Sequence, residues 1–261
     1  MDLGLDGNVA LCTAASSGLG LASATALARE GADVAVCGQT EAHLDNAREQ
    51  LRAAGTGDTL AVQADITDPD HVAAFVEETV AEFGGVDHVV TSAGGPPSGP
   101  FPEQNDRDWY RAYDMLVMSA VWTLREAHPH LGESDAGSVV AITSRSVREA
   151  IDGLVLSNAV RRAVIGLVKT VSREFAPAMR ANAVLPGAHE TARIENLIDR
   201  AVERGEYPDY EAGYEDWASD VPLGRVGDPE ELGDVVAFLA SPRASYVTGA
   251  ALAVDGGSTR S

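Results

Sequence analysis

Thr13-Ala14-Ala15-Ser16-Ser17-Gly18-Leu19-Gly20 is the stretch on which the reading of this chain turns. It follows an apolar run, Val9–Ala14, and opens directly into an amphipathic segment, Leu19–Glu30. Strand, glycine turn and helix in that order bring backbone N–H groups to a positive helix end. Gly18 and Gly20 permit the close approach that a pyrophosphate requires, and Ser16 and Ser17 add hydroxyl donors. Such a turn points to a bound dinucleotide.

The rest of the chain repeats the alternation. Asp33–Cys37, Thr59–Ala64, His88–Thr91, Ser138–Thr143, Ala181–Leu185 and Ala251–Val254 are short and continuously apolar, as strands buried on both faces of a parallel sheet are. Helical periodicity fills the intervals, over Glu41–Ala53, Asp70–Phe83, Arg107–Leu131, Ser157–Phe175 and Glu230–Leu239. Asp228-Pro229-Glu230 starts the last of these with an N-cap and a first-turn proline. The expected fold is α/β, a Rossmann-like, doubly wound parallel sheet of about seven strands with helices on both faces. No linker or repeat divides residues 1–261, so one domain is expected. The acidic, aromatic segment 189–226, with Tyr207, Tyr210, Tyr214 and Trp217, reads as a substrate lid.

Composition excludes several classes. Forty Asp and Glu stand against nineteen Lys and Arg, a net charge of −21, and Lys169 is the sole lysine. A chain this negative does not bind nucleic acid through a general basic surface. The same imbalance is expected of a protein adapted to molar salt, where dense carboxylates stay hydrated and their repulsion is screened. No apolar run approaches the roughly 18–20 residues of a membrane span. Met1–Asp6 has no basic, apolar leader character, and a cytoplasmic location is expected. Cys12 and Cys37 lie inside apolar runs and read as buried thiols; the histidines show no ligand spacing, so no metal site is expected.

Beyond the first loop the sequence resembles the short-chain dehydrogenases/reductases. Their Thr-Gly-x-x-x-Gly-x-Gly turn is matched from Thr13 except that Ala14 replaces the first glycine. Asp65-Ile66, Ser92-Ala93-Gly94, Pro186-Gly187 with Thr191, Pro222-Leu-Gly-Arg and Val254-Asp-Gly-Gly follow at the family's spacing, from about Val9 to Gly257. The resemblance implies a nicotinamide dinucleotide held by Thr13, Ser16, Ser17, Gly18 and Gly20 at the phosphates. It implies Asp65 and Ile66 at the adenine, with Ala93, Gly94, Pro186, Gly187 and Thr191 towards the nicotinamide. Gly38 leaves the end of strand two without a carboxylate. Gln39 and Thr40 are able to donate to a 2′-phosphate, so NADP is expected slightly over NAD. The resemblance also implies a small-molecule substrate and a homotetramer built through the helices Arg107–Leu131 and Ser157–Phe175.

At the catalytic positions the resemblance breaks. The family's Tyr-x-x-x-Lys window is occupied by Ser157-Asn158-Ala159-Val160-Arg161, and its asparagine position falls near Leu116. Ser144 matches the family's serine. None of the six tyrosines has Lys or Arg four residues on. Arg161 keeps its proton and so offers charge and hydrogen bonds, never a relay. Candidate catalytic residues are therefore Ser144, Ser157 and Arg161, with Arg161 also able to reach the cofactor ribose. His189, after Pro186-Gly187-Ala188, is a candidate replacement acid. With Gly94–Pro97 and Ser-Asn-x-x-Arg the chain is similar to an atypical 3-oxoacyl-carrier-protein-reductase-like subgroup. An NAD(P)-dependent oxidoreductase acting on a carbonyl or hydroxyl substrate is the leading expectation. A lyase or enoyl-type reductase on the same scaffold, or a catalytically silent dinucleotide-binding protein, is the alternative.

Overall fold

Every continuously apolar run forms a strand. In a computed structural model describing residues 2–260, these are β1 (Val9–Cys12), β2 (Asp33–Gly38), β3 (Thr59–Gln63), β4 (His88–Thr91), β5 (Ser138–Ile142), β6 (Arg180–Pro186) and β7 (Ala251–Val254). They pair in parallel in the order β3-β2-β1-β4-β5-β6-β7. Helices follow as α1 (Gly18–Arg29), α2 (Glu41–Ala54), α3 (Pro69–Phe83), α4 (Asp106–Tyr113), α5 (Ser119–Glu133), α6 (Val155–Glu174), α7 (Ala192–Glu203), α8 (Tyr210–Ser219) and α9 (Pro229–Ala240).

The period-two geometry of a strand divides its side chains between two cores. Ala10 and Cys12 of β1, with Val34 and Val36 of β2, pack with Leu27 of α1, Leu44 of α2 and Leu232 of α9. Leu11, Ala35 and Cys37 point the other way, into a core with Phe75 of α3, Leu131 of α5 and Val164 of α6. Both thiols are buried and unpaired, and burial pushes the Cys37 thiol up to about 12. Close approach of α1 and α9 depends on Gly233, where a Cβ would lie 2.6 Å from the Ala22 carbonyl oxygen. No helix among the described residues is long and apolar enough to cross a membrane.

Two features depart from the sequence reading. The helix expected over Arg107–Leu131 is interrupted by a π-helical turn, Asp114–Met118, that joins α4 to α5. Such a turn inserts one residue into the helical register and recurs at functional sites. The segment 189–226 carries two helices of its own, α7 and α8. Strand order reverses between β1 and β4, so a crevice opens beyond their carboxyl ends, where open α/β sheets bind ligands.

Candidate active site

The glycine loop stands at that reversal. Ala14, in place of the family's glycine, keeps a left-handed backbone at φ 45°, which costs a residue with a Cβ about 1–2 kcal/mol. Ala14→Gly is expected to raise stability by about 0.5–1 kcal/mol, the strain relief less the extra unfolded-state entropy of glycine. Thermal unfolding checks this, and a lowered melting temperature would contradict it. Gly18 is also left-handed, at φ 56°. A Cβ on Gly20 would lie 2.9 Å from both the Ala14 carbonyl oxygen and the Ala15 Cα. Ser17 is the exposed N-cap of α1 and its hydroxyl caps nothing within the chain.

Thr13 and Ser16 face inward. The Thr13 hydroxyl donates to the Ser92 carbonyl (2.9 Å) and accepts from the Ser92 N–H (3.0 Å). It therefore stitches the loop after β1 to the loop after β4. Ser16 is buried against Gly38, where any Cβ would overlap its hydroxyl. At the adenosine side Gln39 and Thr40 are exposed. Partial burial pushes the Asp65 carboxyl up, but the Thr67 amide and hydroxyl, at 2.9 and 2.7 Å, bring it below its ordinary value, helped by Gln39 and His71. Ile66 beside it is buried. Ala93 is half-buried, and a Cβ on Gly94 would meet open space. Gly187, after Pro186, is pressed against Asp255, where a Cβ would come within 2.7 Å of its Cα. Thr191 caps α7 by position without a side-chain cap, and its methyl lies 3.8 Å from where a Gly18 Cβ would stand. Two of the loops attributed to the cofactor therefore meet.

The altered catalytic window folds beside this crevice. Ser157 and Arg161 sit one turn apart in the first half of α6, on its buried face. The Ser157 hydroxyl lies 3.1 Å from that of Ser146, which is fully buried. The Ser146 N–H in turn donates to the Ser144 hydroxyl oxygen at 3.1 Å. Ser146 was not among the residues singled out from sequence; it is the side chain that links Ser144 to Ser157. Leu116 is buried inside the π-helical turn.

Arg161 is only 8% exposed and has no carboxylate partner among the described residues. Its guanidinium donates to the Thr143 carbonyl at the end of β5 (3.1 Å) and to the Gly94 carbonyl (2.9 Å), while Nε is buried without a partner. Burial first, and the nearby Arg193 second, push its pKa down to about 10. That still leaves a full cation at neutral pH in a poorly solvated place.

His189 does not join the group. It is 4% exposed, paired as an isolated bridge with Gly227, and its ring lies against that glycine, where a Cβ would come within 3.0 Å. Its Nδ1 is 3.4 Å from the Gly187 carbonyl oxygen, and the charges around it are Glu231, Asp228 and Arg225 at the start of α9. Burial lowers its pKa, and among the described residues no hydrogen bond joins its ring to Ser144, Ser157 or Arg161. The tyrosines of segment 189–226 also bond elsewhere. Tyr207 donates to Asp216 (2.6 Å), Tyr214 donates to Glu190, and Tyr210 stacks on Tyr214.

Comparison with known proteins agrees with this architecture. The profile of a family described as Enoyl-(Acyl carrier protein) reductase matches residues 13–259. The cis-4-hydroxycyclohexanecarboxylate dehydrogenase of Sinomonas cyclohexanicum is 34% identical over 253 residues, 96% of each chain. Among solved structures, L-sorbose reductase from Gluconobacter frateurii, complexed with NADPH and L-sorbose, superposes with a TM-score of 0.95 at 29% identity, covering 100% of both chains. A short-chain oxidoreductase from Pseudomonas aeruginosa PAO1, described as containing an atypical catalytic center, gives 0.89 at 31% identity, covering 97% of this chain and 98% of that one. A glycine loop at the sheet reversal, seven parallel strands in this order and a match along almost the whole length together make this chain a member of the short-chain dehydrogenase/reductase family of oxidoreductases.

Proposed function

We propose that this protein is an NADP-preferring oxidoreductase that handles a carbonyl/alcohol pair without a phenolic acid. The observation that carries the reading is the buried Arg161 cation, fixed between the end of β5 and the loop after β4 with no carboxylate to neutralise it. A bound nicotinamide supplies or accepts the hydride. The residues that would hold it are the N–H groups of the 16–19 turn with Ser17, then Gln39 and Thr40 at the ribose, Asp65 and Ile66 at the adenine, and Ala93, Gly94, Pro186, Gly187 and Thr191 beyond. The open space beside Gly94 and the clearance at Gly18 fit such a ligand, while Gly20 lets the loop pack on its own backbone.

On the protein side, each step uses charge and hydrogen bonds. Either hydroxyl of the Ser146–Ser157 pair is able to donate; in this reading Ser146 donates, which frees the Ser157 proton to turn into the crevice. Ser144, accepting from the Ser146 N–H, likewise keeps its own proton to donate. Two hydroxyl donors and one desolvated guanidinium stabilise the negative charge that develops on a carbonyl oxygen, as an oxyanion hole does. Ser144, Ser157 and Arg161 are the catalytic residues of this reading, and Ser146 is a positioning residue. Solvent delivers the proton after the charge has been stabilised.

The pH profile tests this directly. The guanidinium stays charged to about pH 10, and His189, lowered by burial, stays neutral above its ordinary range. NADPH oxidation across a set of ketones is therefore expected to vary less than about threefold between pH 6 and 9. A tenfold change per pH unit in that window would assign the proton to a titrating acid and overturn the proposal. The acidic composition belongs to the same reading: a cytoplasmic enzyme of a salt-rich cell is expected to unfold in dilute buffer and to fold in molar KCl. Equal melting temperatures in the two would contradict that adaptation.

A further inference from the structure

In a chain with more than two acids per base, one cavity inverts the charge. It lies between α4 with its π-helical turn on one side and α7 on the other, above the Gly95–Ser98 loop, with a volume of about 650 Å³. Arg111 projects from α4, and Arg193 and Arg200 line it from one face of α7, two turns apart. No Asp or Glu contributes to its lining. None of the three arginines has an ion-pair partner among the described residues. Met115 and Leu197 supply apolar surface between them.

Arg193 is held against the loop after β4. Its guanidinium lies flat on Gly95, so closely that any Cβ there would overlap it, and its Nη2 reaches only as far as the Pro96 carbonyl oxygen at 3.5 Å. Burial lowers its pKa, and its charge lies close enough to Arg161 to lower that pKa as well. Gly94, whose carbonyl accepts from Arg161, precedes Gly95 directly. Gly95, which lines the cavity, thus directly follows the glycine whose carbonyl Arg161 holds.

Two like charges brought together in a partly desolvated place repel, and an anion between them removes the repulsion. Arginine forks fit the paired oxygens of a carboxylate or phosphate. We propose that this cavity takes the anionic end of the substrate, an oxyanion bound by Arg111, Arg193 and Arg200, with the apolar wall covering the carbon chain. The inference rests on the oxidoreductase reading for which end of the substrate reacts. The anion site itself is measurable without turnover.

Calorimetric titration of the protein with benzoate, phenyl phosphate and the neutral benzamide, at constant chloride concentration, tests it. Benzoate or phenyl phosphate is expected to bind at least about tenfold more tightly than benzamide, and the stronger of the two identifies the oxyanion. Arg111→Gln/Arg200→Gln is expected to abolish that preference, a loss of at least about tenfold. Gly95→Ala, which displaces the Arg193 guanidinium while keeping all three arginines, is expected to weaken the anion in the same direction. Equal affinity for the three probes, or an anion preference undiminished in both variants, would overturn the site. NADPH titrated in the same cell separates the two claims: dinucleotide binding without anion preference leaves the oxidoreductase reading intact.

Discussion

Replacing Arg161 with methionine is expected to lower kcat/KM by about 10²–10³ while leaving the melting temperature unchanged or higher. The size of the loss is that of a positioned donor withdrawn from a developing oxyanion. The thermal behaviour follows from the same burial. A guanidinium that is 8% exposed, with Nε unpartnered and no carboxylate beside it, contributes desolvation cost to the folded state. A side chain of similar length without charge relieves that cost, although the Thr143 and Gly94 carbonyls lose a donor. Arg161→Lys should recover part of the rate, because the charge returns without the fork. Steady-state kinetics with calorimetry decides the matter. A variant that loses activity only in proportion to lost stability would mark Arg161 as a structural brace.

Gly20→Ala is expected to weaken NADPH by about 10–100-fold and to destabilise the fold by about 1–3 kcal/mol. The added methyl meets backbone on two sides, at Ala14 and Ala15, with the Ser92 hydroxyl at 3.2 Å on a third. None of the first two contacts is the free end of a side chain, so the loop itself must shift. That shift moves the N–H groups at the start of α1 that the phosphates require. Fluorescence titration of NADPH reads the affinity and urea unfolding the stability. An unchanged affinity would place the dinucleotide somewhere other than this loop.

The sheet was legible because each strand is a continuous apolar run buried on both faces, as Val9–Cys12 and Ser138–Ile142 are. Asp228 and Pro229 announced α9 equally plainly, and the reciprocal bonds between Asp228 and Glu231 are present. The π-helical turn carried no such mark. Asp114-Met-Leu-Val-Met reads as ordinary helix, and nothing in its residue pattern sets it apart from the helices that flank it, although Leu116 and Val117 are buried within it. Helix α7 did carry a signal: Ile194, Leu197, Ile198, Ala201 and Val202 recur at helical spacing. The acidic, aromatic character of segment 189–226 as a whole nonetheless reads as a lid rather than as separate elements.

The site was readable in part for the same physical causes. Glycines and motif spacing are local, so the dinucleotide loop could be found from residues 13–20 alone. Ser146 escaped because its role depends on α6 folding back across the end of β5, a contact eleven residues away in sequence. The position of His189 depends on its bridge to Gly227, thirty-eight residues on, so its neighbourhood in sequence was misleading. Arg193 and Arg200 become a pair only once α7 is known to be a helix, where a spacing of seven places them on one face.

The account stands or falls on the dinucleotide. Titration of the protein in molar KCl with NADPH and with NADH, followed by the quenching of protein fluorescence, tests it most directly. Saturable binding of one equivalent of NADPH, tighter than NADH and weakened in Gly20→Ala, is the predicted result. Saturable binding of neither dinucleotide, by a protein shown to be folded under the same conditions, would contradict it.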